Sequence, residues 1–162
     1  MKKLKMTLVV LVAVAVIATV ALKLAIPTLS GKSAASGIVV SSDGLSSLGD
    51  CPDTPNCHGS ESSRQAQTVA RFVITKTASD AIDTLATIVS TQARTQIVTQ
   101  DERYLHATFA TKFMGYIDDV EFLLADDGQS VQVRSASRIG KSDLGANKKR
   151  INNLRTLAEG KL

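Results

Sequence analysis

The stretch Tyr116-Ile-Asp-Asp-Val-Glu-Phe-Leu-Leu-Ala-Asp-Asp-Gly-Gln-Ser-Val-Gln-Val-Arg-Ser-Ala-Ser-Arg138 decides how this chain folds. Apolar and polar residues alternate on both sides of Asp126-Asp127-Gly128-Gln129, the pattern of two half-buried strands, 116–125 and 130–138, joined by a tight turn. Asp-Gly favours a two-residue type I′ turn, in which both central residues take positive φ. In that register Leu124 opposes Val131, Phe122 opposes Val133 and Val120 opposes Ser135, giving one core face. On the reverse face Glu121 opposes Arg134, and Asp119 lies diagonally between Arg134 and Arg138. A three-residue loop would set Val120 against Arg134 and mix core with charge, whereas a two-residue slip keeps the faces.

Outward from this hairpin the periodicity continues. Strands are predicted at 94–99 and 104–112; in the latter Leu105, Ala107 and Phe109 face one side and Tyr104, His106 and Thr108 the other, which makes His106 a half-exposed strand residue rather than a ligand. Residues 69–74 read as a further strand. Thr77-Ala78-Ser79-Asp80 has the capping-box form and opens a helix to about Ala93, with Ala78, Ile82, Leu85, Ile88 or Val89 and Gln92 on its apolar stripe. A last helix covers about 147–159, burying Ile151, Leu154, Leu157 and Ala158, and Gly160 suits its C-terminal cap. The fold class is therefore α+β: a mainly antiparallel sheet of about five strands with two helices packed on one face.

The N-terminal part has a different character. Met6 to Ile26 is a 21-residue stretch broken only by Thr7, Thr19 and Lys23. As a helix it would be about 31 Å long, which matches the hydrocarbon core of a bilayer. Residues 1–27 thus read as a signal-anchor or transmembrane helix, with Lys23 reaching the headgroups and the lysines at 2, 3 and 5 on the cytoplasmic side. The rival is a cleaved signal with a weak site at Thr19-Val20-Ala21. Residues 28–50, rich in Ser, Gly and Ala, read as a linker with a brief extended piece at 38–40; residues 51–162 read as the globular domain. The charge follows the same division. The formal net charge is +4, but five of the 19 basic residues precede Ser33 and all 15 acids follow it, so the domain itself carries −1. A chain so divided has no electrostatic case for binding nucleic acid. Its partners are the membrane, through the helix, and an envelope protein or small anionic ligand; no cofactor or metal is implied.

Outside the cytoplasm, Cys51 and Cys57, which frame Pro-Asp-Thr-Pro-Asn, are expected to form a disulfide. Two alternatives are a thiolate nucleophile using His58 or His106, and a zinc site built from all four residues.

The densest polar block is Arg134–Arg150, with six cations against one acid. Arg134 and Arg138 have acidic neighbours and read as sheet-surface pairs. Lys148, Lys149 and Arg150 fall in the first turn of a helix, where cations oppose the dipole. An anion should compensate: Asp143 as a cap, Asp118 across the sheet, or an external ligand, with a partner inside the protein preferred. Parity puts Asp118 on the core side, opposite Ser137: either the strand starts after it, or it is a partly buried carboxylate awaiting Ser137, Arg150 or Lys112, more often a structural Asp bonded to hydroxyls but otherwise a candidate acid or base. No serine sits in a GxSxG elbow.

Three ordered motifs, Cys51-Pro-Asp-Thr-Pro-Asn-Cys57, Tyr116-Ile-Asp-Asp-Val-Glu-Phe122 and Arg134–Arg150, resemble those of the bacterial domain-of-unknown-function family 1499 (DUF1499) over about residues 48–158. His58-Gly59 stand where that pattern has Val-Ser, Lys141 where an aromatic is common, and Lys148 where it has arginine. The resemblance implies no activity. It places Asn56, Asp118, Asp119, Arg134, Ser135, Ser137, Arg138, Asp143, Asn147 and Arg150 in family motifs, and we expect the first box and last block to meet in one polar patch. Ligand binding is accordingly expected at Asn56, Arg134, Ser137, Arg138, Asp143, Asn147 and Arg150. The alternative is a small hydrolase-like envelope enzyme using Asp118 or Asp119 as base and Arg138 or Arg150 as clamp, and the sequence leaves that choice open.

Overall fold

A computed structural model describes residues 2–29 and 32–162, with the side chains of the first helix described from Met6 to Leu22 and at Leu24. That helix, α1, spans Lys2–Leu29. Its side chains from Met6 to Leu22 are all exposed. Counted over the described side chains, no helix is long and apolar enough to cross a membrane. The headgroup contact expected of Lys23 lies outside the described residues.

Two short strands follow, β1 (Ile38–Val40) and β2 (Ser46–Leu48), paired as an antiparallel hairpin. The main sheet is built from β3 (Cys57–Gly59), β4 (Phe72–Val73), β5 (Thr95–Gln100), β6 (Tyr104–Ala110), β7 (Ile117–Leu124) and β8 (Ser130–Ser137). Its order is β3-β8-β7-β6-β5, with β4 also pairing β8, so it has six strands rather than about five. All its strand pairs are antiparallel. The predicted strand at 69–74 shrinks to the two residues of β4.

The central hairpin has the predicted register: Leu124 opposes Val131, Phe122 Val133, Val120 Ser135, Glu121 Arg134 and Asp118 Ser137. The turn is different. Gly128 is at positive φ but Asp127 is not, and the Gly128 N–H donates to Ala125 O at 2.9 Å. A type I′ turn needs positive φ at both residues, so residues 126–129 form a four-residue connection. Two- and four-residue loops share one register, which explains why the facing survives the change of turn.

Helices α2 (Ala81–Ser90) and α3 (Ala146–Ala158) both pack on the predicted core face. Ile82, Leu85, Val89, Ile151 and Leu154 meet Leu105, Ala107, Val120, Phe122, Val131 and Val133 there. Phe72 and Phe122 meet edge to face, with centroids 5.6 Å apart. Three details of the helices depart from expectation. Residues 78–80 form a 3₁₀ turn and the Thr77 side chain makes no capping bond, so the capping box is not formed and Ala78 is not buried. Leu157 is 39% exposed and outside the stripe. The last helix starts one residue early, after Gly145 at positive φ.

The largest departure lies on the reverse face. Of the stretch expected to be a linker, residues 33–48 lie along the outer side of the sheet. Leu48 packs with Tyr104 and Leu123, and Ala34 packs against Cys51, Cys57 and Ala136. A hairpin and its lead-in form here because the composition that reads as flexible also supplies close contact and free N–H groups. Gly49 approaches Ser36 so closely that a Cβ there would lie 2.8 Å from the serine Cβ. Folded structure thus begins near Ser33, well before Cys51.

Candidate functional site

Strand alternation divides the polar block into two networks on opposite sides of the sheet. On the outer side, Asp119 is fully buried and receives the Arg138 guanidinium in a two-pronged pair, Nε–Oδ2 at 2.8 Å and Nη2–Oδ1 at 2.9 Å. His106 Nε2 lies 2.7 Å from its Oδ1, and the Ala34 N–H donates to Oδ2 at 2.8 Å. Glu121, also fully buried, accepts from Arg134 Nη1 (3.1 Å), the Tyr104 hydroxyl (2.9 Å) and the N–H groups of Ser36 (2.8 Å) and Gly37 (2.7 Å). These are not the surface ion pairs the sequence implies: residues 33–37 cover them. His106 is buried for the same reason, which overturns its half-exposed assignment.

The electrostatics follow from this enclosure. Burial alone would push the Asp119 pKa up. Hydrogen bonds from His106, Arg138 and the Ala34 N–H outweigh that and hold it well below the usual carboxylate range. Burial, reinforced by the Glu121 carboxylate, pushes the Tyr104 phenol up, so it remains a donor.

On the inner side, at the start of α3, the first box and last block do meet. The Asn147 amide, fully buried, donates to Asn56 O (2.9 Å) and Ser137 Oγ (3.0 Å). Its carbonyl accepts from Ser135 Oγ (2.5 Å) and Arg150 Nη1 (2.5 Å). Asn56 in turn donates to Gly140 O at 2.7 Å and accepts from Ser137 N–H at 3.0 Å. Arg150 reaches Asp118 Oδ2 at 2.5 Å and stacks 4.9 Å above the Phe109 ring. Asp143 caps the helix, accepting from the N–H groups of Gly145 (3.0 Å) and Asn147 (2.7 Å). Compensation of the first-turn cations therefore comes from within, through both Asp143 and Asp118.

Asp118 and Asp119 are neighbours on one strand and so point to opposite faces, which separates Arg138 from Arg150. The single patch joining Arg134 and Arg138 to Asn56, Ser137, Asn147 and Arg150 is not what forms. What does form beside the inner network is a cleft of about 330 Å³, whose lining includes Thr111, Tyr116, Asp118, Ser137, Asp143 and Leu144. Asp118 brings an oxygen to it: Oδ1 has no donor among the described residues. Asn147 and Arg150 support the cleft from behind and do not line it.

A family model described as "Protein of unknown function (DUF1499)" matches residues 47–157. The chain belongs to DUF1499. No curated protein and no solved structure matches it. The matched span holds both networks and the cleft, while residues 33–37, which close the outer network, precede it.

At the N-terminal edge of the DUF1499 span Cys51 and Cys57 are joined by a disulfide. The bond, together with the position of His58 on the opposite face from Cys57, overturns the thiolate and zinc alternatives. Gln67 Nε2 braces the closed loop by donating to Pro52 O and Thr54 O at 3.0 and 2.6 Å. The loop is short, and replacing both cysteines by alanine is expected to lower stability by about 2 kcal/mol. Urea denaturation of the double variant against the oxidised parent measures this.

His58 lies opposite Ser135 on the α3 side of the sheet, buried, with Nδ1 lacking a partner among the described residues. Burial lowers its pKa below the ordinary 6.5, with Lys148 acting the same way and Asp143 opposing. The unfolded imidazole thus takes a proton before the folded one does. The contribution to stability is fully present above pH 6.5 and is lost as pH falls through the folded value. The unfolding free energy from urea denaturation should drop between pH 7 and pH 5 by up to about 1.4 kcal/mol per pH unit, and His58→Val should flatten that drop. Equal slopes for the two proteins would contradict the assignment. Asp119 has the same sign at lower pH: its contribution is fully present above the unfolded 3.8 and disappears below the usual carboxylate range.

Tyr104 and Thr111 lie outside the motifs, and Tyr116, Ile139 and Leu144 lie inside them at positions the motifs do not single out as site residues. One signal for the outer network was available: Tyr104, His106, Asp119, Glu121 and Arg134 share one face by parity, a density of polar groups that calls for a cover.

Proposed function

We propose that the chain is a single-pass, membrane-anchored envelope protein whose DUF1499 domain faces the periplasm or exterior and binds a small polar ligand in the Asp118 cleft. The observation that carries the binding reading is the unmatched oxygen of Asp118 in a cleft that also offers Ser137 and Asp143. A buried carboxylate with an open valence favours a ligand hydroxyl or ammonium group. An anion is disfavoured, because Arg134, Arg138 and Arg150 each already hold a carboxylate. An enzyme reading would rest on Asp118, since Asp119 is enclosed by its partners. The anchor reading is supported by the 21-residue apolar run, its exposed side chains from Met6 to Leu22, the preceding lysines and the disulfide.

The test is thermal stabilisation of the full chain in nanodiscs by amines, amino sugars and polyols, with phosphate as the anionic comparison. A ligand at a hundred times its Kd stabilises by about 2.7 kcal/mol, and Asp118→Asn should abolish that shift. Stabilisation by phosphate alone, or equal shifts in the variant, would contradict the cleft reading.

A further inference from the structure

We infer that the end of the sheet carrying the cleft lies against the membrane, and that Phe113 and Leu144 dock there among anionic lipid headgroups. The inference rests on the anchor reading above. The direction of the covering segment sets the geometry. Ala34 bonds Asp119, and Ser36 and Gly37 bond Glu121, so the segment runs alongside β7 in the same direction. Ser33, which bonds Asp119, is therefore the end of this segment nearest Ile117, the first residue of β7. Only residues 30–32 separate Ser33 from the end of α1 at Leu29. Four Cα–Cα steps span at most about 15 Å. A helix that crosses the bilayer therefore holds this end of the domain, and no other, close to the surface.

The surface at this end suits that position. Phe113, in the turn between β6 and β7, is 73% exposed, and Leu144, on the rim of the cleft, is 97% exposed. Leu144 also has φ +54°, a left-handed conformation rare for a leucine, so the backbone is strained at a residue whose side chain stands almost wholly in solvent. Lys32, Lys112 and Lys141 are exposed nearby in sequence and fold, and Lys112 Nζ lies 5.5 Å from the Phe113 ring centroid. Apolar tips among lysines match the boundary between anionic headgroups and acyl chains. Val73 provides the contrast: it is 70% exposed, but β4 pairs with the start of β8, at the far end of the sheet.

The chain has no tryptophan, so one can be introduced as a sole reporter. The full chain carrying F113W, L144W or V73W is placed in phosphatidylethanolamine/phosphatidylglycerol nanodiscs, with and without brominated acyl chains. F113W and L144W should emit at shorter wavelength than V73W and lose intensity to the brominated lipid, while V73W loses none. If the chain resists carbonate extraction from membranes but all three reporters emit as in water, the docking inference is overturned and the anchor stands; a protein-binding face would give this result. If carbonate releases the chain, the anchor reading fails and the inference fails with it.

Discussion

Asp119→Ala is expected to lower the unfolding free energy by about 3–5 kcal/mol, the scale for breaking a buried ion pair by removing one partner. Domains of this size are stable by about 5–15 kcal/mol, so the variant should be the least stable single substitution on the outer face. Removal of the carboxylate takes the two-pronged acceptor from the Arg138 guanidinium, whose side chain is 14% exposed, and removes the acceptor of the Ala34 N–H and of His106. The loss therefore has two parts, a broken buried ion pair and a detached cover. A double-variant cycle separates them. Asp119→Ala with Arg138→Met should cost less than the sum of the single changes, because the two side chains share one interaction that either substitution alone already removes. A loss below about 1 kcal/mol, typical of an exposed pair, would show that residues 33–37 do not enclose the carboxylate in solution.

Asn147→Ala should cost about as much, roughly 3–5 kcal/mol, for a different reason. Each buried polar group left without a partner costs about 1–3 kcal/mol. The Asn147 amide serves Asn56 O, Ser137 Oγ, Ser135 Oγ and Arg150 at once. Alanine removes no charge and keeps the helix, so any large loss reports this convergence rather than helix propensity. Chemical denaturation gives the number, and a second readout tests the position of Asn147. Truncation of Asn147 should also weaken any ligand that depends on Asp118, because Arg150 and Ser137 lose the group that orients them. A cost near 0.5 kcal/mol would mean that water replaces the amide without difficulty, and that the first box and last block are not joined through it.

The sheet was legible because its face-setting signal is parity. Leu124, Phe122 and Val120 can meet Val131, Val133 and Ser135 in only one way without burying charge, and the structure has that register. The same parity located Asp118 opposite Ser137, and the surplus of cations in the first turn of α3 pointed to Arg150 and Asp143. The turn type was not legible, since a four-residue connection keeps the register that Asp-Gly suggested for two. The covering segment was hidden for a deeper reason. Ser33, Ala34, Ser36 and Gly37 act chiefly through backbone N–H and hydroxyl groups, and a backbone donor leaves no mark in side-chain pattern. Ser/Gly-rich sequence is equally the composition of a flexible linker. Gly37 gives a partial clue: it sits at φ +67° while donating to Glu121, a conformation that favours glycine. The function of Asn147 as a hub was hidden because Asn56 reaches it through β3, whose three residues are too few to show a period.

Residue-resolved hydrogen exchange of the full chain tests the account most directly, because the anchored geometry, the closed outer network and the membrane-facing end all depend on residues 33–37 being part of the fold. The amides of Ala34, Ser36 and Gly37 should exchange as slowly as those of β7, opening only with the sheet, and Asp119→Ala should release Ala34. Exchange of these three amides at the rate of an unstructured chain, with β7 still protected, would contradict it.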